Sequence, residues 1–188
     1  LDLMEHIRVS CDVPEQFCVS SLTPILKRGG VVSAPGSYRG LAVGGALSKC
    51  YAIVLNRRLT RFGELHSLRC PTQAGGRGGL STVHNLFVIR HLKAQAELRA
   101  QRGQPANAAP HNPLFICQID FEKAFDRVPR GLLWRRLEER GLHGPMLAAL
   151  QAANKSVLLR VRVNGKLGPV FESLQGVKKG CQLSMTLD

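Results

Sequence analysis

Aromatic residues are scarce: they make up 5% of the 188 residues, and Trp134 is the single tryptophan. Long apolar runs are missing as well. The densest stretches, 41–47 and 51–55, are short and interrupted. Neither approaches the roughly 18 residues that span a bilayer, so no membrane partner is expected. The first residues, LDLMEHIRVS, lack a basic start followed by an apolar stretch, and no secretory signal is read there. The six cysteines (Cys11, Cys18, Cys50, Cys70, Cys117 and Cys181) form no CxxC pair. An even count permits three disulfides, but with no secretory context the expectation is reduced thiols in a nuclear or cytoplasmic, intracellular protein. The six histidines form no HExxH and stand at no zinc-finger spacing, so a zinc site is not expected. The chain opens on Leu1 and stops at Asp188, and it reads as a piece of something longer.

Acidic residues are also few: 13 Asp and Glu face 26 Lys and Arg, for a formal net charge of +13. The excess is uneven. Residues 1–26 carry a net −3, residues 27–110 a net +11 and residues 111–188 a net +5. A basic block of this size binds polyanions through phosphate neutralisation and counterion release, or is simply a solvated basic surface. What is plentiful is aliphatic: hydrophobic residues make up 44%, enough for a core in one domain or in part of a larger one.

Periodicity supplies the elements. Residues 27–40 (KRGGVVSAPGSYRG) read as a loop or hairpin. Residues 46–63 read as a helix, with Leu47, Tyr51, Val54, Leu55 and Leu59 at helical spacing, Ser48 as a cap and Gly63 as a stop. Residues 71–80 are glycine-rich and flexible by composition. A helix over 82–101 follows, capped by Ser81, with Val83, Leu86, Phe87 and Leu92 on one side. Residues 102–113 look like a surface loop. The run LFICQI, 114–119, suits a buried strand. Residues 130–140 read as a helix between Pro129 and Gly141, and a short helix follows Pro145. Residues 156–163 alternate, with Val157, Leu159, Val161 and Val163 on one face and Arg160 and Arg162 on the other. Asn164-Gly165 signals a hairpin whose return strand falls near 168–174. The order is an α+β pattern, not strict βαβ alternation.

Three places carry residue types suited to phosphoryl chemistry. Asp120 ends the apolar run, where a carboxylate beside a basic surface could hold a divalent metal. Alone, it reads first as a turn or capping residue. Asp126 looks like an N-cap. The stretch GVKKG, 176–180, sets two glycines around two lysines. It is either a plain loop or a place where backbone comes close to a phosphate or base. Lys27 and Arg39 flank the first glycine-rich turn. They could grip a triphosphate, Lys as a point charge and Arg as a fork, or be solvated. The segment GGRGG, 75–79, lacks the GK[ST] ending and is not a P-loop.

Taken in order, LTPILKRGG…SYRGLAV, LSKCYAIVLNRRL, TQAGGRGGLSTVHNLFVIRHL, ICQIDFEKAFDRVPRGLLWRRLEERG and VRVNGKLGPVFESLQGVKKGCQLS closely resemble the reverse transcriptases of non-LTR retrotransposons. The resemblance covers roughly residues 20–187. It departs from the family pattern at Gly76, Leu80, Lys179, Met185 and Asp188.

The resemblance implies a right-hand polymerase, α+β, with helices packed on an incomplete antiparallel sheet. Residues 1–26 would lead into the fingers, 27–110 would be the basic fingers-like region and 111–188 a partial palm. It implies an RNA-directed DNA polymerase working with magnesium, an RNA template, a DNA primer and deoxynucleoside triphosphates. By match, Asp120 is the first metal-binding catalytic aspartate. Phe125 screens the sugar 2′ position, Arg39 and Lys27 meet the triphosphate, and Gly180 touches the nascent base pair. The family's second carboxylate pair, a Tyr/Phe-Ala-Asp-Asp block, is not in this sequence. The expectation is therefore a fragment inactive as it stands, with a non-catalytic nucleic-acid-binding module as the alternative.

Overall fold

The structure is a computed structural model that describes residues 2–101 and 114–178. In chain order these residues form α1 (Asp2–Ser10), α2 (Glu15–Cys18), β1 (Val19–Leu26), β2 (Tyr38–Gly44), α3 (Ala46–Leu65), α4 (Thr82–Gln101), α5 (Ala124–Arg127), α6 (Arg130–Glu139), α7 (Gly144–Ala153), β3 (Leu158–Val163) and β4 (Lys166–Glu172). A single 3-10 turn at Pro35–Ser37 precedes β2. The chain divides into two compact units, Leu1–Leu68 with Lys123–Asp188, and Arg69–Glu122.

The larger unit holds one open four-stranded sheet in the order β2-β1-β3-β4. Two antiparallel hairpins, β1–β2 and β3–β4, join through a parallel pairing of β1 with β3, in register from Val19 opposite Leu158 to Leu22 opposite Val161. The sheet is thus mixed, where a purely antiparallel one was expected. The reason is connectivity. Each hairpin closes locally, whereas β1 and β3 are separated by most of the chain, and a long connection lets strands align in parallel. The β3–β4 turn follows its sequence signal: Asn164 (φ 49°) and Gly165 (φ 78°) both take the left-handed conformation that a two-residue hairpin turn requires.

The core lies among the helices. Ile7 of α1, Tyr51, Leu55 and Leu59 of α3, Leu142, and Leu147, Ala149 and Leu150 of α7 form one buried cluster. Leu133, Trp134 and Leu137 of α6 pack against it. The α3 contribution is a stripe at spacing four, Tyr51, Leu55, Leu59 and Gly63; of the residues expected at helical spacing, Leu47 and Val54 lie off it and are exposed. Gly63 does not stop that helix. It sits on the buried stripe, and α3 runs on to Leu65. Ser48 is not the cap either. Gly45 holds the N-cap position, and the Ser48 hydroxyl donates to the Gly45 carbonyl at 2.8 Å. Helix α6 begins after Pro129, and its end is closed at Gly141 (φ 86°), whose N–H reaches the Glu138 carbonyl at 2.9 Å.

In the smaller unit, α4 follows Ser81. The Ser81 N–H donates to His84 Nδ1 at 2.9 Å, the returning half of a capping box. The expected apolar side of α4 is exposed, with Val83, Leu86, Phe87 and Leu92 all facing solvent. Residues 114–119 correct the expected buried strand: they take no regular structure and pair with no described strand. Phe115 is 86% and Ile119 75% exposed. Apolar composition favours burial but provides neither a ladder partner nor a covering layer.

Candidate functional site

The first hairpin positions Lys27 and Arg39. Arg39 lies on β2 opposite Ile25, and Lys27 follows the last residue of β1. The intervening loop is braced from within. The Lys27 N–H donates to the Ser37 carbonyl at 2.8 Å, the Gly30 N–H to the Lys27 carbonyl at 2.9 Å, and the Val31 N–H to the Ser37 hydroxyl at 3.0 Å. Gly30 is needed here, because a Cβ on it would stand 2.8 Å from the Ser37 Cβ. Lys27 Nζ donates to the Gly36 carbonyl at 3.0 Å, so this cation braces its own loop. Arg39 is exposed.

A second cluster joins two segments that are distant in sequence, 125–130 and 173–178. The Val177 N–H donates to the Phe125 carbonyl and the Gly176 N–H to the Val128 carbonyl, both at 2.9 Å. Arg130 completes the junction. Its Nε donates to the Gly176 carbonyl at 2.8 Å, and its Nη2 donates to the Ser173 and Gln175 carbonyls. Burial pushes the Arg130 guanidinium below its ordinary value, while Glu172 pulls it up. Lys178 reaches the other way, and its Nζ donates to the Phe17 carbonyl in the last turn of α2 at 2.8 Å. The stem of the GVKKG stretch is therefore fixed at both sides. Phe125 is half-buried in the short helix α5, entered through Lys123 in the left-handed conformation (φ 54°). Asp126 lies inside α5. The N-cap of α6 is Pro129, so the capping role expected of Asp126 is not the one it has. Gly180 lies outside the described residues.

Asp120 lies in the smaller unit, exposed, in the stretch without regular structure. The strand end on which it was expected does not form. Among the described residues no group of three His, Cys, Asp or Glu converges on a point. Two magnesium ions sharing a substrate need several carboxylate oxygens held together. The described residues do not supply that donor set. Among them five cysteines are free thiols: Cys11, Cys18, Cys50, Cys70 and Cys117. No described helix is long and apolar enough to cross a membrane.

The structure thus brings Phe125 together with the glycine stretch, and sets Lys27 and Arg39 at one end of the sheet. Sequence reasoning missed Arg130 and Lys178 as organisers of the junction. A carbonyl-binding arginine has no spacing signature, since its acceptors lie more than 40 residues away. No known protein-family model matches the chain.

Proposed function

We propose that the chain is a fragment of a reverse transcriptase of the non-LTR retrotransposon type, which engages primed RNA template and deoxynucleoside triphosphate without extending the primer. The observation that carries this reading is the docking of residues 173–178 onto 125–130 through the Val177, Gly176 and Arg130 hydrogen bonds. In the family resembled, these two blocks flank the incoming nucleotide, so their juxtaposition supports a nucleotide pocket built around Phe125. The braced hairpin with Lys27 and Arg39 supports a triphosphate contact, with Arg39 the stronger candidate because Lys27 already serves the Gly36 carbonyl. In this reading Asp120 is the position for magnesium. The chemistry stops short of polymerisation in this reading because the family's second carboxylate pair, the Tyr/Phe-Ala-Asp-Asp block, is not in this sequence.

The test uses the full 188-residue chain with a DNA primer annealed to an RNA template, magnesium and a photoreactive deoxynucleoside triphosphate. Crosslinks should map to peptides containing Arg39 or Phe125, compete with unlabelled triphosphate and fall several-fold in Arg39→Ala. Crosslinks that ignore both competitor and substitution reject the triphosphate role. Primer extension by this chain, lost in Asp120→Ala, would overturn the claim of inactivity.

The net +11 of residues 27–110 favours a second reading, a nucleic-acid-binding module without nucleotide chemistry. It predicts RNA binding with no competed crosslink.

A further inference from the structure

The exposed face of the sheet carries arginines that the roles above leave unused. Side chains two apart on a strand share a face, and Arg160 and Arg162 of β3 are both exposed on either side of the half-buried Val161. The extra residue where the β3–β4 register shifts lies on β4, so Arg160 faces Val170 and Arg162 faces Leu167. The register extends this face across the sheet. Arg160 lies opposite Ser21 of β1, and Ser21 opposite Val43 of β2, while Val170 of β4 flanks Arg160 on its other side. Two residues further along β1, Thr23 lies opposite Leu41. Two further still, Ile25 lies opposite Arg39. Arg39, Arg160 and Arg162 therefore share one face. All three are exposed, and none of the three guanidinium groups has an ion-pair or hydrogen-bond partner among the described residues. The four strands contain one carboxylate, Glu172, which lies opposite Leu158 on this same face, one side-chain step from Arg160 and at the end away from Arg39. Leu41, Val43 and Val170 are 46%, 48% and 43% exposed on the same face.

We propose that this face is a track for single-stranded nucleic acid, with Arg160 and Arg162 neutralising successive backbone phosphates and the aliphatic side chains covering base faces. The inference rests on the nucleic-acid reading above and adds Arg160, Arg162, Leu41 and Val43 to it. Charge complementarity selects a polyanion. Strand geometry puts Arg160 and Arg162 about 7 Å apart along the chain, and β2 about 10 Å from β3 across the sheet. The aliphatic residues between the cations select a single strand over a duplex. A duplex hides its base faces and would press phosphates against Leu41 and Val43, which would strip those phosphates of water without compensation. Phosphate contacts and apolar cover of base faces carry no sequence information, so binding should tolerate any base sequence.

The test measures fluorescence anisotropy of a labelled oligouridylate with the full chain, without magnesium or triphosphate, over a salt series. Arg160→Ala with Arg162→Ala should weaken binding about tenfold and lower the log–log salt slope by about 1.4, near 0.7 for each lost phosphate contact on a single strand. Arg135→Ala with Arg136→Ala removes the same charge from α6, where both arginines face Glu139, and should change affinity less than about twofold. Arg160→Lys with Arg162→Lys keeps the charge and should retain most of the affinity. Leu41→Ser with Val43→Ser should weaken single-strand binding and leave duplex binding equal or tighter, because the apolar surface that strips duplex phosphates of water is removed. Equal losses in the two alanine pairs would reduce the effect to net charge and overturn the proposal, as would duplex RNA or heparin bound as tightly as the single strand. Because no nucleotide is present, a failed crosslinking experiment and a failed anisotropy experiment identify different errors.

Discussion

Gly176 occupies a place that a side chain does not fit. Its φ is +83°, and a Cβ built on it would stand 2.7 Å from both the Phe125 and the Asp126 carbonyl oxygens. Those oxygens belong to backbone that the Val177 N–H holds in place, so the overlap has no flexible tip to yield. Gly176→Ala should therefore destabilise the chain by about 2 kcal/mol or more, combining left-handed backbone strain with steric displacement. Gly78→Ala, with open space around its Cβ position, should stay within about 0.5 kcal/mol. Urea unfolding of both variants checks the difference. Equal midpoints would mean that the 173–178 segment is not seated on 125–130. Arg130 is the partner of this glycine, because its guanidinium reaches the carbonyls that the turn at Gly176 presents. The sequence marks Gly176 as special, but the reason is steric and lies in a segment about 50 residues earlier.

Helix α3 shows what one element contributes and how much of it is readable. Leu55 is 1% exposed within the helical core, whereas its neighbour Val54 is 41% exposed. Leu55→Ala removes buried methyl groups and leaves a cavity, with an expected cost of about 2–5 kcal/mol. Val54→Ala should cost less than about 1 kcal/mol. Thermal unfolding of the pair locates the buried face, and similar losses would show that α3 does not pack by that stripe. Period-3.6 patterns bury one face and leave a local trace, which is why α3, α6 and α7 are legible. The β3–β4 hairpin is legible for a related reason, since alternation and Asn164-Gly165 are both local. Strand β1 is not. Its sequence VSSLTPIL lacks clean alternation, and its two ladders come from β2 and from the distant β3. The segment 114–119 fails in the opposite direction, because a strong local apolar signal finds no partner among the described strands. The candidate site divides the same way. Arg39 and Phe125 are marked by motif order, while Arg130, Arg160 and Arg162 gain their meaning only from contacts and register across the chain.

At the scale of the whole molecule, protection should follow the backbone ladders and not hydrophobicity. Amides exchange with solvent through local openings whose free energy ranges from near zero at unbonded segments to the global value at central strands. Strands β1 and β3 are the two inner strands, each paired on both sides, and Ser20 of β1 is 2% exposed. Their amides should exchange slowest, by about 3 kcal/mol or more of opening free energy, roughly a hundredfold or greater protection. Residues 114–121 have no ladder and face solvent despite their apolar side chains. Their amides should exchange within about tenfold of the unprotected rate. The amides of Gly176 and Val177 provide the internal control. They lie outside any strand, yet each is bonded to a carbonyl of the 125–128 segment, and both glycine and valine are buried, so they should be protected like the sheet. Hydrogen exchange read by mass spectrometry on the full chain separates the two outcomes at Asp120. Fast exchange through 114–121 leaves that carboxylate on a solvated segment, where it holds a metal only if a bound substrate orders it. Slow exchange there would restore the strand that the sequence suggests, and Asp120 would return to a fixed strand end, the geometry a metal carboxylate needs.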